Sequence, residues 1–250
     1  MNLIKSLRNI STENEFKNQC ENLIFKEAKN KEEANNYPYI KIPNSVRFIE
    51  KGAFKYCKSL KYIILPNSVK SIEKEAFFKC ISLTPTTIPN SVTSIENDAF
   101  YGCKSLTSIT LPKSVISIGK FAFLGCSFKY IIIPNLVESI GNYAFAHCES
   151  LKYIIIPNLV TSIGEGVFDN CDKLTHITIP KSVKLIEFNA FYKCKSLTSI
   201  IIPNPEIYIE NAAFWRCTSL KNITIPKNLK SKLSDIFNDV NSSKVEVIYT

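Results

Sequence analysis

Eight cysteines recur at one step: Cys57, Cys80, Cys103, Cys126, Cys148, Cys171, Cys194 and Cys217. The step is 23 residues, with one exception of 22 between Cys126 and Cys148. Thiols at one position of a stacked repeat could oxidise in pairs, bind a metal or act as nucleophiles. Stacked units bring equivalent residues to about 5 Å, which a disulfide can span. However, equivalent side chains in a stack point the same way, which suits a crossed disulfide poorly. The chain also holds nine cysteines, counting Cys20, an odd number. No C-x-x-C or C-x-x-H pair occurs at zinc spacing. Ala34 and Val240 take the same position at the two ends of the series, so the position asks for volume rather than for sulfur chemistry. The expectation is a ladder of free, buried thiols and no metal. Free thiols in this number fit a reducing compartment better than an oxidising one.

The other reactive residue types are sparse. His147 and His176 are the only histidines; they lie 29 residues apart and fall on different surfaces of a stacked repeat. No G-x-S-x-G elbow and no Gly-rich phosphate loop is present, and the chain has only 7 glycines. These features lead to the expectation of a non-enzyme with no cofactor.

The period that positions the cysteines runs through most of the chain. Pro43, Pro66, Pro89, Pro112, Pro134, Pro157, Pro180, Pro203 and Pro226 repeat with it, as do Phe54, Phe77, Phe100, Phe123, Phe145, Phe168, Phe191 and Phe214. A fixed period of this length means a solenoid. From leucine to proline each unit alternates as a strand, as in Ser105 to Pro112, and the proline ends that strand at the same place in every turn. The S-V-x-S-I stretch alternates again and predicts a second short extended segment. The A-F-x-x-C piece predicts one helical turn that buries its phenylalanine.

Two units depart from the pattern. Pro85 falls inside a strand, with Thr86 where isoleucine stands elsewhere, which predicts a lost ladder bond and a local kink. Between Cys126 and Phe128 one residue is missing from the turn, so the strand register is expected to survive.

The unit I-P-x-S-V-x-S-I-x-x-x-A-F-x-x-C-x-S-L-x-x-I-x resembles the BspA-type leucine-rich repeat. The resemblance implies a right-handed leucine-rich-repeat solenoid, an α/β repeat with short parallel strands and short helical turns. It also implies a surface or adhesion protein of the kind found in bacteria and parasitic protists.

The solenoid is expected over residues 37–240. Residues 1–36 read as a helical N-terminal cap, with Thr12 and Glu15 forming a capping box ahead of an apolar stripe at Phe16, Cys20, Leu23, Ile24 and Ala28. Residues 241–250 read as a C-terminal cap strand. The first residues lack a signal-peptide pattern and the last lack an anchor signal, which points to the cytoplasm, whereas the family resemblance points to the cell surface. No apolar run is long enough to span a membrane. The formal net charge of +9 is spread over dispersed lysines without a dense basic run, so nucleic acid is disfavoured as a partner.

A binding face follows from the strand alternation. Outward positions on neighbouring units hold Tyr130 and Tyr153, Lys129 and Lys152, and Ile132 and Ile155, with Tyr62 and His176 in the tyrosine column. Tyrosines with apolar and cationic neighbours are typical of interaction hot spots. The expected function is non-catalytic protein binding through this face. The alternative is an intracellular adaptor in which the N-terminal helices dock a second protein.

Overall fold

Each unit folds into one coil of a solenoid, and the coils stack through three parallel ladders. The computed structural model describes residues 38–237 and 245–249. The expected N-terminal cap, Tyr37, Cys20, Ala34 and Val240 lie outside the described residues.

The first ladder is the leucine-to-proline strand. Tyr39–Lys41 pairs with Tyr62–Ile64, Thr86–Thr87 with Ile109–Thr110, and Tyr153–Ile155 with His176–Thr178. Ser199–Ile201, Asn222–Ile225 and Glu246–Tyr249 pair in that order. All these pairs are parallel and in register, although pairing also stops between His176–Thr178 and Ser199–Ile201, in units of regular sequence. The second ladder comes from the S-V-x-S-I stretch. Phe48–Ile49, Ser71–Ile72, Ser94–Ile95, Ser117–Ile118 and Ser139–Ile140 form one sheet. Ser162–Ile163, Leu185–Ile186 and Tyr208–Ile209 form the next.

The third ladder is where the A-F-x-x-C stretch departs from the helical turn expected of it. It is a run of overlapping turns in which N–H groups alternate between two directions. Ala76, Phe78 and Cys80 donate to carbonyls three residues back in their own coil. Phe77 donates to Ala99 O at 2.8 Å and Lys79 to Tyr101 O at 2.6 Å, in the next coil. The alternation is set by left-handed residues four apart, such as Glu75 (φ 59°) and Lys79 (φ 55°), repeated down the chain. An α-helix admits neither, because each would break its φ pattern. Among the described residues, helix is confined to Lys227–Lys232, a 3₁₀ segment, and Leu233–Phe237, an α-helical turn.

The core is a set of columns. The phenylalanines from Phe54 to Phe214 stack with ring centroids 5.0 to 5.9 Å apart and planes within 17° of parallel. Beside them run the buried cysteine, leucine, valine and isoleucine columns. Offset stacking of this kind adds about 0.5–1.5 kcal/mol per pair beyond the burial of the ring itself.

Both irregular units leave marks. The strand ladder stops between Tyr62–Ile64 and Thr86–Thr87, where Pro85 has no N–H to give. Thr86 fills the isoleucine slot, and its buried hydroxyl reaches Ile63 O only at 3.4 Å. Thr86→Ile should raise stability by about 1 kcal/mol, since it adds apolar burial and removes a poorly bonded hydroxyl. A urea midpoint that rises at constant slope would show this.

In the short unit, Phe128 occupies the leucine slot and packs edge-on against Phe123 at 5.5 Å. Ile131 and Ile133 remain buried, so the inward register survives the missing residue. The pairing does not survive on one side: Tyr130 bridges forward to Tyr153, but Ile109–Thr110 pairs only backward, to Thr86–Thr87.

Candidate interaction face

Strand alternation turns Ile131, Ile133, Ile154 and Ile156 into the core and their neighbours out of it. Tyr130 is 61% exposed and Ile132 78%, and Tyr153 and Ile155 lie beside them in the next coil, also exposed. Lys129 and Lys152 are exposed one position earlier, with the Lys152 N–H donating to Lys129 O at 2.9 Å. His176 continues the Tyr153 column in register, and its Nδ1 lies 2.9 Å from Thr175 Oγ1. Seven of the eight residues read from the sequence therefore lie on neighbouring coils. Tyr62 stands apart. It stacks on Tyr39 at 5.3 Å, and the coils of Pro85 and Ser108 separate it from Tyr130.

Two further residues join this patch. Leu136 and Leu159 are 52% and 45% exposed, at the corner that follows the proline. Five other units carry serine there, and in three of them its hydroxyl donates to the preceding coil: Ser91 and Ser114 to Val69 O and Val92 O, Ser182 to Val160 O. The leucines give up that bond and expose apolar surface instead. The signal was present in the sequence, as P-N-L-V in two consecutive units where most others read P-x-S-V.

Where the strand ladder is interrupted, a groove of about 690 Å³ opens on this face. Ile109, Leu111, Ile131, Ile133 and Leu136 supply its apolar lining, and Lys113 stands at its edge.

The BspA type leucine-rich repeat region, taken as a family model, matches residues 32–152 and 138–249 in six copies. The chain belongs to the BspA-type leucine-rich repeat family. Solved structures agree. A leucine-rich repeat protein from Bacteroides ovatus is 28% identical with a TM-score of 0.61, over 86% of this chain and 70% of that one. The T. pallidum leucine-rich repeat protein is also 28% identical with a TM-score of 0.61, over 64% of this chain and 78% of that one. A search of curated protein sequences finds no significant match. Leucine-rich-repeat proteins act in general as protein-interaction scaffolds, and the family is typically non-catalytic.

The thiols of this BspA-type chain do more than fill volume. From Cys80 onward each Sγ donates to the phenylalanine carbonyl of the preceding coil: Cys80 to Phe54 O at 2.9 Å, Cys103 to Phe77 O at 3.2 Å, and so on to Cys217 and Phe191 O at 3.1 Å. Alanine is smaller than cysteine and valine larger, and neither can make this bond. All eight described cysteines are buried, and those from Cys80 to Cys217 are free thiols. Burial pushes the thiols of Cys80, Cys103, Cys126, Cys171 and Cys194 well above the ordinary range, and that of Cys148 up to about 12. Thiols held protonated away from solvent are poor nucleophiles.

His147 sits on the turn ladder in a left-handed conformation (φ 55°), with its N–H on Asp169 O, and is exposed. The strand face carrying His176 is a different surface, so the fold does not bring the two histidines together. Among the described residues no helix is long and apolar enough to cross a membrane.

Proposed function

We propose that this chain is a non-catalytic scaffold that holds a protein partner on its strand face, centred on Tyr130, Ile132, Leu136, Tyr153, Ile155 and Leu159. The family resemblance favours adhesion or surface recognition as the setting. The observation that carries this reading is the pair of exposed leucines. Each replaces a serine whose hydroxyl would tie two coils together, and each adds to an already exposed apolar patch. Contiguous exposed apolar surface of this kind marks interaction sites, whereas single exposed residues do not. The adaptor alternative rests on residues 1–36, which lie outside the described residues.

A photoreactive benzoylphenylalanine placed at Tyr153 should form protein adducts in the cells the protein comes from. The same group at Phe78, on the turn ladder, should not. Leu136→Ser with Leu159→Ser should abolish the adduct while raising stability by about 0.5–1.5 kcal/mol per site, as each hydroxyl recovers its backbone bond. Adducts from Phe78 and none from Tyr153 would reject the strand face, as would an adduct that persists in the serine variant.

A further inference from the structure

The strand face is not only apolar in places; from Pro38 to Thr224 it is free of acid, and the final strand brings one carboxylate, Glu246, beside Asn222. Across the nine leucine-to-proline strands from Pro38 to Thr224, no outward position holds Asp or Glu. Lys41, Lys61, Lys129, Lys152 and Lys221 occupy outward positions of the same strands. The acidic residues lie elsewhere on the coil. Glu73, Glu96, Glu187 and Glu210 follow the second ladder, and Glu75, Asp98, Glu165 and Asp169 sit on the turns. The two salt bridges among the described residues, Lys55 with Glu75 and Lys195 with Asp172, lie off this face. Glu246 lies beside Lys221 at the C-terminal end, but Lys129 and Lys152 have no acidic neighbour on the outward positions of the strands around them.

We propose that the partner segment held on this face is an extended, acidic stretch of protein with large apolar side chains. This deepens the functional reading above and rests on it. Lys129 and Lys152 stand on adjacent coils beside the tyrosine column, and Lys113 edges the groove between Thr110 and Ile132. Carboxylates of the partner meet these ammonium groups, and an apolar side chain between them enters the groove against Ile109, Leu111 and Leu136. Charge complementarity of this kind sets the choice of partner and its rate of approach more than the tightness of the complex. The apolar groove separates this occupant from a bare polyanion, which has nothing to place there.

A random peptide display library selected on the full chain, with Lys129→Glu plus Lys152→Glu as counter-selection, tests the proposal. Enriched peptides should combine Asp or Glu with Leu, Phe, Tyr or Trp. Synthetic copies should bind the parent chain, lose about tenfold or more on the glutamate variant and weaken with added salt. Ile132→Asp should weaken them as well, with circular dichroism unchanged in both variants. Enriched peptides that are neutral or basic, yet lost on Tyr130→Ala plus Tyr153→Ala, would overturn the acidic partner and leave the strand face standing. Absence of enrichment, or peptides indifferent to all three variants, would overturn both. A single-stranded oligonucleotide bound through the lysines as tightly as the peptides, and indifferent to Ile132→Asp, would replace the acidic peptide with a polyanion.

Discussion

Stability should fall steeply between about pH 8 and 9.5, and the cause should be the cysteine ladder. Six buried thiols are held well above the ordinary value by desolvation, with Cys148 at about 12. In the unfolded chain a thiol ionises near pH 8.5. Above that value the unfolded state binds fewer protons than the folded one, so every step up in pH favours unfolding. The contribution is full below the unfolded value and is lost progressively as pH climbs toward the folded one. At pH 9.5 each such thiol costs about 1.4 kcal/mol and the six together about 8 kcal/mol, against a usual total stability of about 5–15 kcal/mol. Lysines are still largely charged in this window, so the thiols dominate. Urea unfolding at closely spaced pH values measures the slope. Replacing Cys126, Cys148 and Cys171 with alanine should lower stability at pH 7 and halve the alkaline slope. A pH-independent midpoint in the parent chain would mean that the thiols are not buried and protonated as the structure places them.

The period made the coil legible, because a solenoid repeats one packing decision. Proline, phenylalanine and cysteine each recur at their own slot, and each slot is a column in the structure. The turn ladder was not legible in this way. Among the described residues glycine marks only four of its left-handed positions, Gly52, Gly102, Gly125 and Gly166, while twelve others are held by residues such as Tyr56, Glu75, Lys79, Asp98 and Phe121, so the glycine signature is too broken to announce them. What holds those residues at positive φ is the pairing of each coil with the next, which a single unit does not display. The thiol-to-carbonyl bonds were hidden for the same reason, since each partner lies one coil back, 25 or 26 residues away.

On the interaction face, Tyr130, Tyr153, Ile132 and Ile155 followed from alternation alone. Leu136 and Leu159 lie past the proline, outside the strand that alternation describes. They become visible only once the serines they replace are seen bonding to the preceding coil. The groove came from a break in the ladder. Removing one residue between Cys126 and Phe128 preserved the inward register but not the pairing with Ile109–Thr110, a consequence of geometry rather than of residue type.

The coil that carries Tyr130 is also the mechanical weak point, and Phe145→Ala should expose it. On the strand face, pairing stops between Ile109–Thr110 and the Tyr130 coil. In the second ladder it stops between Ser139–Ile140 and Ser162–Ile163. Across this coil the two halves of the solenoid depend more heavily on the turn ladder and the phenylalanine stack. Tyr143, Phe145 and His147 donate forward to Glu165, Val167 and Asp169. The Phe145 ring stacks on Phe123 at 5.5 Å and on Phe168 at 5.9 Å. Its removal leaves a cavity in a fully buried column and should cost about 3–5 kcal/mol. Because stacked coils gain stability mainly from their neighbours, a loss here also uncouples the halves. Trp215 is the only tryptophan and reports the C-terminal coils alone, whereas far-UV circular dichroism reports them all. In the parent chain the two urea transitions should coincide, and in the Phe145→Ala variant they should separate. Coincident transitions in the variant, or a loss below about 1 kcal/mol, would show that the coils are coupled through contacts other than the stack.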